Sequence, residues 1–399
     1  MKNTQYSRRE ALGTLGLGSA ASLGFMMAQQ NVAAQNVADK GANLKITDVR
    51  MFNVGKFYVR IQTNAGITGW GETYGLVAKA AIALCEAMGS GLKGENPTRI
   101  EHIWQRLYRG HRDMRGGPFL TNVISAIDQA LWDIAGKAWG VPVYRLLGGP
   151  TRDRIRIYPS ATSWKIGPGG PRQFAATPQW VKGYVDHVKQ FRERLGPNGA
   201  IMLDAHCAMP PAFLIQLANA LEPQDVLFIE EPAVPGNIEV FKRLKEAINV
   251  PLATGERDRT IWGMIPYLQE RCLDILQPDC NHTGGISQMK KIATLAEAYH
   301  VPLAPHCTAT LLGIAASLHT VASIPFFLIH EFYPNNRGFN PGEFLKMDWK
   351  LDAEGYIGLP PGPGLGVEVD EKRLAELAAQ PQSYKWPGRT HPDGSVADY

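Results

Sequence analysis

Beyond residue 150 the sequence keeps a rhythm that few folds can satisfy. Short apolar runs at 201–204, 226–230, 251–256, 273–279, 301–306 and 327–331 each end on a carboxylate or a histidine. Those terminal residues are Asp204, Glu230, Glu256, Asp279, His306 and Glu331, separated by 26, 26, 23, 27 and 25 residues. Helix-like stretches such as 285–299 and 308–322 fill the intervals. Repeated βα units of near-constant length predict a parallel α/β barrel. A doubly wound open sheet is the alternative, but no Gly-rich turn follows the first strand as a nucleotide site requires. The glycines at 362–366 lie in a proline-rich loop and are weak evidence of phosphate binding.

A residue at the same place in each unit stands at the carboxyl rim, where barrel active sites assemble. Asp204, Glu230 and Glu256 there offer hard oxygen ligands suited to octahedral Mg²⁺. His306 comes one unit after Asp279, whose carboxylate can accept the Nδ1 proton and raise imidazole basicity. His206, two residues after Asp204, is expected on the same side of the strand. Singly, each residue would read as a helix cap, a solvated strand end or a packed core histidine. Six in phase read as a site.

Before this region the grammar differs. Residues 44–72 alternate as a three-strand meander, and helical periodicity follows at 79–88, 99–108 and 121–139,. This predicts a compact α+β unit over 44–150, ending at Leu147-Gly148-Gly149-Pro150, then a barrel over 151–345 and a C-terminal segment over 346–399,. Residues 1–34 carry Ser7-Arg8-Arg9, an apolar Gly/Ala-rich run and the small residues Val32-Ala33-Ala34. They read as a twin-arginine export signal, with 35–43 as linker and a periplasmic or exported destination. That route carries folded cargo, which reconciles export with five cysteines in no CxxC pair,. No other segment is apolar enough for stable membrane insertion. With 41 Lys+Arg against 37 Asp+Glu, the charge of +4 is too slight to suggest nucleic acid,.

The motifs Ile229-Glu230-Glu231-Pro232, Thr254-Gly255-Glu256-Arg257, Leu276-Gln277-Pro278-Asp279 with Gly284-Gly285-Ile286, and Ala304-Pro305-His306-Cys307 resemble the enolase superfamily. Within it they are similar to the acid-sugar dehydratases of the mandelate racemase and muconate lactonizing type. Arg115-Gly116-Gly117-Pro118, the run 125–133 and Gly364-Leu365-Gly366-Val367 match that family's capping domain and C-terminal return. The resemblance implies a modified (β/α)7β barrel of the TIM type, capped by the α+β unit, in a homo-oligomer. It implies Mg²⁺ on Asp204, Glu230 and Glu256, and His306, oriented by Asp279, removing a proton α to a carboxylate. His206 would protonate the departing 3-hydroxyl, and Glu331 would hydrogen-bond the substrate carboxylate. The substrate would be a small sugar acid, an aldonate such as galactonate, and the product a 2-keto-3-deoxy acid. Capping loops at 53–56 and 74–77 would set stereospecificity.

One edge departs from that pattern. The strand-like run 154–161 leads almost directly into Thr162-Ser163-Trp164-Lys165, so the first barrel helix is expected to be deleted,. Residues 160–177 are expected to be irregular or extended, leaving the edge either rebuilt or open. The run 162–167 reads as the end of the second strand; Lys165 in it, where related racemases and cycloisomerases carry a base, is either a second base or, the favoured reading, a solvated loop lysine,. A racemase or cycloisomerase, and a metal- or sugar-acid-binding protein without turnover, are the alternative functions.

Overall fold

The computed structural model describes residues 39–167, 177–333, 341–380, 389–390 and 394–397. The chain divides after Asn43. Ahead of that point only 39–43 are described, a turn in which Gly41 N donates to Asp39 Oδ1 at 2.9 Å. The signal expected at 1–34 lies outside the described residues. Among them no helix is long and apolar enough to cross a membrane.

The capping unit opens with an antiparallel meander, β1 (Ile46–Asn53), β2 (Phe57–Thr63) and β3 (Thr68–Thr73), in that order across the sheet. Three long helices follow, α1 (Ala78–Leu92), α2 (Ile100–Gly110) and α3 (Pro118–Trp139), and a single turn of helix at Val143–Leu146. The stripe Val123, Ile127, Leu131 and Ile134 of α3 is buried in a core with Val59 and Ile61 of β2. Gly69 and Gly71 of β3 allow α3 to lie against the strand backbone: a Cβ there would meet Ala130 O at 2.1 Å and Ala126 O at 2.0 Å. No side chain fits in that gap. The close fit fixes the direction in which the end of β3, Glu72-Thr73-Tyr74, leaves the sheet.

The barrel begins with β4 (Arg154–Tyr158) and β5 (Ser163–Ile166), followed by α4 (Pro178–Leu195) and β6 (Ala200–Asp204). Regular alternation continues through α5 (Pro211–Leu221), β7 (Phe228–Glu230), α6 (Ile238–Ala247), β8 (Leu252–Thr254), α7 (Thr260–Glu270), β9 (Ile275–Leu276) and α8 (Gly285–Ala298). Then come α9 (Leu311–Ala322) and β10 (His330–Glu331). Strands β5 to β9 form one parallel sheet in chain order. Single bridges, Leu276 to Leu303 and Leu303 to Phe327, carry it on toward β10. Period-2 alternation then divides the strands between two environments. Ile201, Leu203, Ile229 and Leu252 pack outward against helices. Ala200, Met202, Phe228, Ala253, Ile275, Ala304, Ile329 and Tyr158 fill the interior. Asp204 follows the phase of Ala200 and Met202, and Glu230 that of Phe228, so both point inward above this plug.

The edge is rebuilt. Between Tyr158 and Ser163 there is no helix; Ser160 N donates to Ser163 O at 2.9 Å and the chain turns at once into β5. Among the described residues no strand ladder joins β4 to β5. Instead β11 (Tyr356–Gly358), from the C-terminal segment, pairs antiparallel with β4 through Tyr356–Arg156, Ile357–Ile155 and Gly358–Arg154. Strand β10 pairs with β4 in parallel on the other side. The backbone of β4 is thereby paired on both sides, while β5 remains the terminal strand of its own sheet among the described residues,. The strand expected over 154–161 stops at Tyr158. Of the 160–177 segment expected to be irregular or extended, Ser163–Ile166 forms a strand, and 168–176 lie outside the described residues.

Candidate active site

The inward-facing rim residues meet around a cation that sequence reasoning had placed in solvent. Lys165 is on β5, in register with Met202 of β6, and its side chain is only 11% exposed. Its Nζ lies 2.5 Å from Glu331 Oε1, 3.3 Å from Asp204 Oδ2 and 3.3 Å from Glu230 Oε1. Burial alone would disfavour the ammonium, yet Glu230, Glu331 and Asp204 hold its pKa well above the ordinary lysine value. The solvated reading is therefore corrected: Lys165 lies in the expected second strand but is buried beside the carboxylates Asp204, Glu230 and Glu331.

The four groups divide the charge unequally. Asp204, despite burial, is held down to about 2 by Lys165 and His206. Glu331, likewise buried, is lowered by Lys165 and His306. Glu230 is pushed well above its ordinary value, by burial first and then by Asp204, Glu331 and Glu256 outweighing Lys165. Both Glu331 oxygens are engaged, since Oε2 also accepts from Cys307 N at 2.7 Å. An ionised carboxylate only accepts hydrogen bonds, so the contact expected between Glu331 and a substrate carboxylate needs a proton on one of the two groups.

On the facing side, His306 Nδ1 lies 2.7 Å from Asp279 Oδ2. Asp279 stays far below the usual carboxylate range: burial opposes this, but His282, His306 and Tyr74 outweigh it. The ionised Asp279 accepts from Nδ1, leaving Nε2 as the reactive nitrogen. That atom looks toward Glu256 Oε2 at 3.5 Å and Glu331 Oε2 at 3.7 Å. Although burial lowers it, these carboxylates and Asp279 raise the His306 pKa well above the usual imidazole value.

His206 also reaches the cluster, with Nε2 2.9 Å from Asp204 Oδ2. Strand phase is not the reason, because β6 ends at Asp204. A left-handed turn, φ 48° at His206 and 53° at Cys207, swings the ring back, and Asp204 Oδ1 accepts from His206 N at 3.0 Å. Of the histidines left undecided by sequence, His330 bonds Ser317 Oγ at 2.8 Å and is lowered to about 4 by burial. His282 is half-buried beside Tyr74 and lowered to about 3 by removal from solvent.

The donors fit a divalent cation, with one adjustment in emphasis. Ligand atoms lying within 4.8 Å of one another belong to Asp204, His206 and Glu231. Glu231, however, is already neutralised by Arg257, whose Nε and Nη2 lie 2.6 and 2.8 Å from its two oxygens. Four buried carboxylate oxygens, Glu230 Oε2, Glu231 Oε1, Glu256 Oε2 and Glu331 Oε1, have no hydrogen-bond partner; those of Glu231 and Glu331 lie against Arg257 and Lys165, whereas Glu230 Oε2 and Glu256 Oε2 face no lysine or arginine so closely. Buried carboxylate oxygens without a hydrogen-bond donor suit a divalent cation as partner, so the residues present fit that group,.

Several participants escaped sequence reasoning. Asn281 donates to Asp279 Oδ1 through its backbone N at 2.7 Å and its side chain at 2.9 Å. Its offset of two from Asp279 was the available signal. Tyr74, from the capping loop expected to set stereospecificity, donates its hydroxyl to Asp279 Oδ2, and Lys56 of the other loop donates to Thr308 O.

A barrel with carboxylates on successive strand ends and a His–Asp pair opposite them, under an α+β cap, defines a class. Residues 158–373 match the model of the enolase C-terminal domain-like family, and residues 27–148 match the mandelate racemase / muconate lactonizing enzyme N-terminal domain. The chain belongs to the enolase superfamily. It is 37% identical over 388 residues to a D-galactonate dehydratase of Variovorax paradoxus, covering 89% of this chain and all of that one. A crystal structure of an enolase from Agrobacterium radiobacter, bound to sodium and L-malate, superposes with a TM-score of 0.80 at 33% identity, covering 88% of this chain and 99% of that one. The 3,6-anhydro-D-galactonate cycloisomerase of Zobellia galactanivorans superposes with a TM-score of 0.75 at 30% identity, covering 84% and 99%.

Proposed function

We propose that the protein dehydrates a sugar acid, an aldonate such as galactonate, to a 2-keto-3-deoxy acid. The observation that carries this is the His306–Asp279 pair, whose Nε2 faces the carboxylate cluster, in a chain related to D-galactonate dehydratases. In its neutral form, reached when the charge of Glu256 and Glu331 is compensated, His306 removes the proton α to the substrate carboxylate, and Asp279 fixes its tautomer and orientation,. Asp204, Glu230 and Glu256 would hold Mg²⁺, which when bound supplies positive charge against the substrate carboxylate as the α-carbon is deprotonated. His206, on the partly open side of the cluster, protonates the departing 3-hydroxyl. Lys165 keeps Glu331 and Asp204 ionised in the free protein.

Incubating the pure protein and Mg²⁺ with a panel of aldonates in deuterated water tests this. Keto-acid formation is the expected result, and its absence across the panel refutes it. A racemase or cycloisomerase reading is favoured by one feature, the buried Lys165 beside the same cluster as His306. It predicts α-deuterium incorporation without keto acid. A protein that only binds metal or sugar acid gives neither. Residues 1–34 are proposed as a twin-arginine export signal; replacing Arg8 and Arg9 by Lys should retain the protein in the cytoplasm.

A further inference from the structure

We infer that Tyr74 is a positioning residue through which the capping unit assembles the His306–Asp279 pair. This rests on the proposed role of that pair. Asp279 has two oxygens and four close donors. Oδ1 accepts from Asn281 N and Nδ2, at 2.7 and 2.9 Å. Oδ2 accepts from His306 Nδ1 at 2.7 Å and from the Tyr74 hydroxyl. The direction of the tyrosine bond is settled by the other side of its oxygen, which accepts from Thr308 N at 3.3 Å. Its single proton therefore goes to Asp279.

The geometry makes this more than one extra bond. A second imidazole competes for the same oxygen: His282 Nδ1 stands 3.7 Å from Asp279 Oδ2. With the tyrosine proton in place, Oδ2 is held toward His306; without it, a buried lone pair opens and the carboxylate can turn to His282. Tyr74 is itself held by both units. Asn122 of α3 donates to Tyr74 O at 3.1 Å, and the neighbouring Thr73 hydroxyl donates to Asn281 O at 2.8 Å. One residue earlier, Glu72 accepts from Thr310 N, Thr310 Oγ1 and Gly313 N at 2.8, 2.6 and 2.9 Å, at the start of α9. Three consecutive capping residues thus clasp the barrel segments that bear Asp279 and His306, and the proton-abstracting geometry is complete only when the cap is seated.

The test is Tyr74→Phe, which keeps the ring against Lys56 and His282. Expected are a cooperative unfolding transition close to the parent's, a kcat for keto-acid formation and α-proton exchange lower by about tenfold or more, and a KM changed less than about twofold. In an Asp279→Asn background the same substitution should have no further effect on kcat, because both act on one bond. The low-field Nδ1 proton resonance of His306, read with ¹⁵N-histidine and no substrate, should shift or broaden in Tyr74→Phe. An unchanged kcat with an unchanged resonance, or a full additional loss in the Asp279→Asn background, overturns the inference. If no variant, nor the parent, turns over any sugar acid, the functional reading fails while the resonance still decides the role of Tyr74.

Discussion

Replacing Lys165 with Met removes the one ammonium shared by Asp204, Glu230 and Glu331 while keeping the length of the stem. At an effective dielectric of about 20, a unit charge 3.3 Å from its partner interacts by about 5 kcal/mol, so the contacts with ionised Asp204 and the nearer Glu331 hold this site together, while Glu230, pushed toward its protonated form, adds less,. Desolvation of the lysine offsets much of that attraction. The remainder follows the rule for breaking a buried pair, about 3–5 kcal/mol lost because uncompensated carboxylates stay behind. In metal-free buffer at pH 7, Lys165→Met should therefore unfold at a markedly lower urea concentration than the parent. The same logic predicts a recovery. A divalent cation entering the cluster no longer competes with an ammonium, so the variant should bind Mg²⁺ at least tenfold more tightly by calorimetry, and the stability gap should narrow as Mg²⁺ is added. A variant as stable as the parent without metal, or one with unchanged Mg²⁺ affinity, would refute the reasoning that Lys165 neutralises this cluster.

Glu230→Gln should weaken Mg²⁺ binding at least tenfold in a titration while the circular dichroism spectrum is unchanged; equal affinity would remove Glu230 from the ligand set. His206→Asn should block keto-acid formation yet preserve α-deuterium exchange, and continued dehydration would exclude it as the acid. Asp128 of α3 bonds Ser287 N and Oγ at 3.0 and 2.5 Å at the start of α8, and burial raises its pKa to about 7. A raised acid binds its proton more tightly in the folded state, so its contribution is full below about pH 4 and is lost as pH rises toward 7, at up to about 1.4 kcal/mol per pH unit. Asp128→Asn should flatten the stability profile over that window, and parallel profiles for the two proteins would contradict the linkage.

The repeat of strand ends and the meander at the start were legible because both are local. An apolar run bounded by turn residues and followed by a helical stripe needs no distant partner to be recognised, and an interval near 25 residues leaves little choice of fold. The same regularity set Asp204, Glu230 and His306 at one rim. The fate of the shortened edge was not legible. Whether β4 lies bare depends on a strand two hundred residues away, at Tyr356–Gly358, whose short sequence has no pairing signal of its own.

Lys165 shows why side-chain roles followed suit. By sequence it stands at the end of a second strand on a shortened edge, where a solvated lysine and a second base are both open; only its pairing with Met202 turns it toward three carboxylates. His206 reached its place by a left-handed turn that no strand periodicity encodes. Tyr74 belongs to the cap by sequence and to the His306–Asp279 pair by geometry, because Gly69 and Gly71 bring β3 close enough to α3 to aim it there. Sequence by itself determined the architecture and the kinds of chemical group at the rim, since periodicity and residue type are local properties. The tertiary structure alone decided which groups neutralise one another, because that depends on distances of a few ångströms between residues as much as 205 positions apart,.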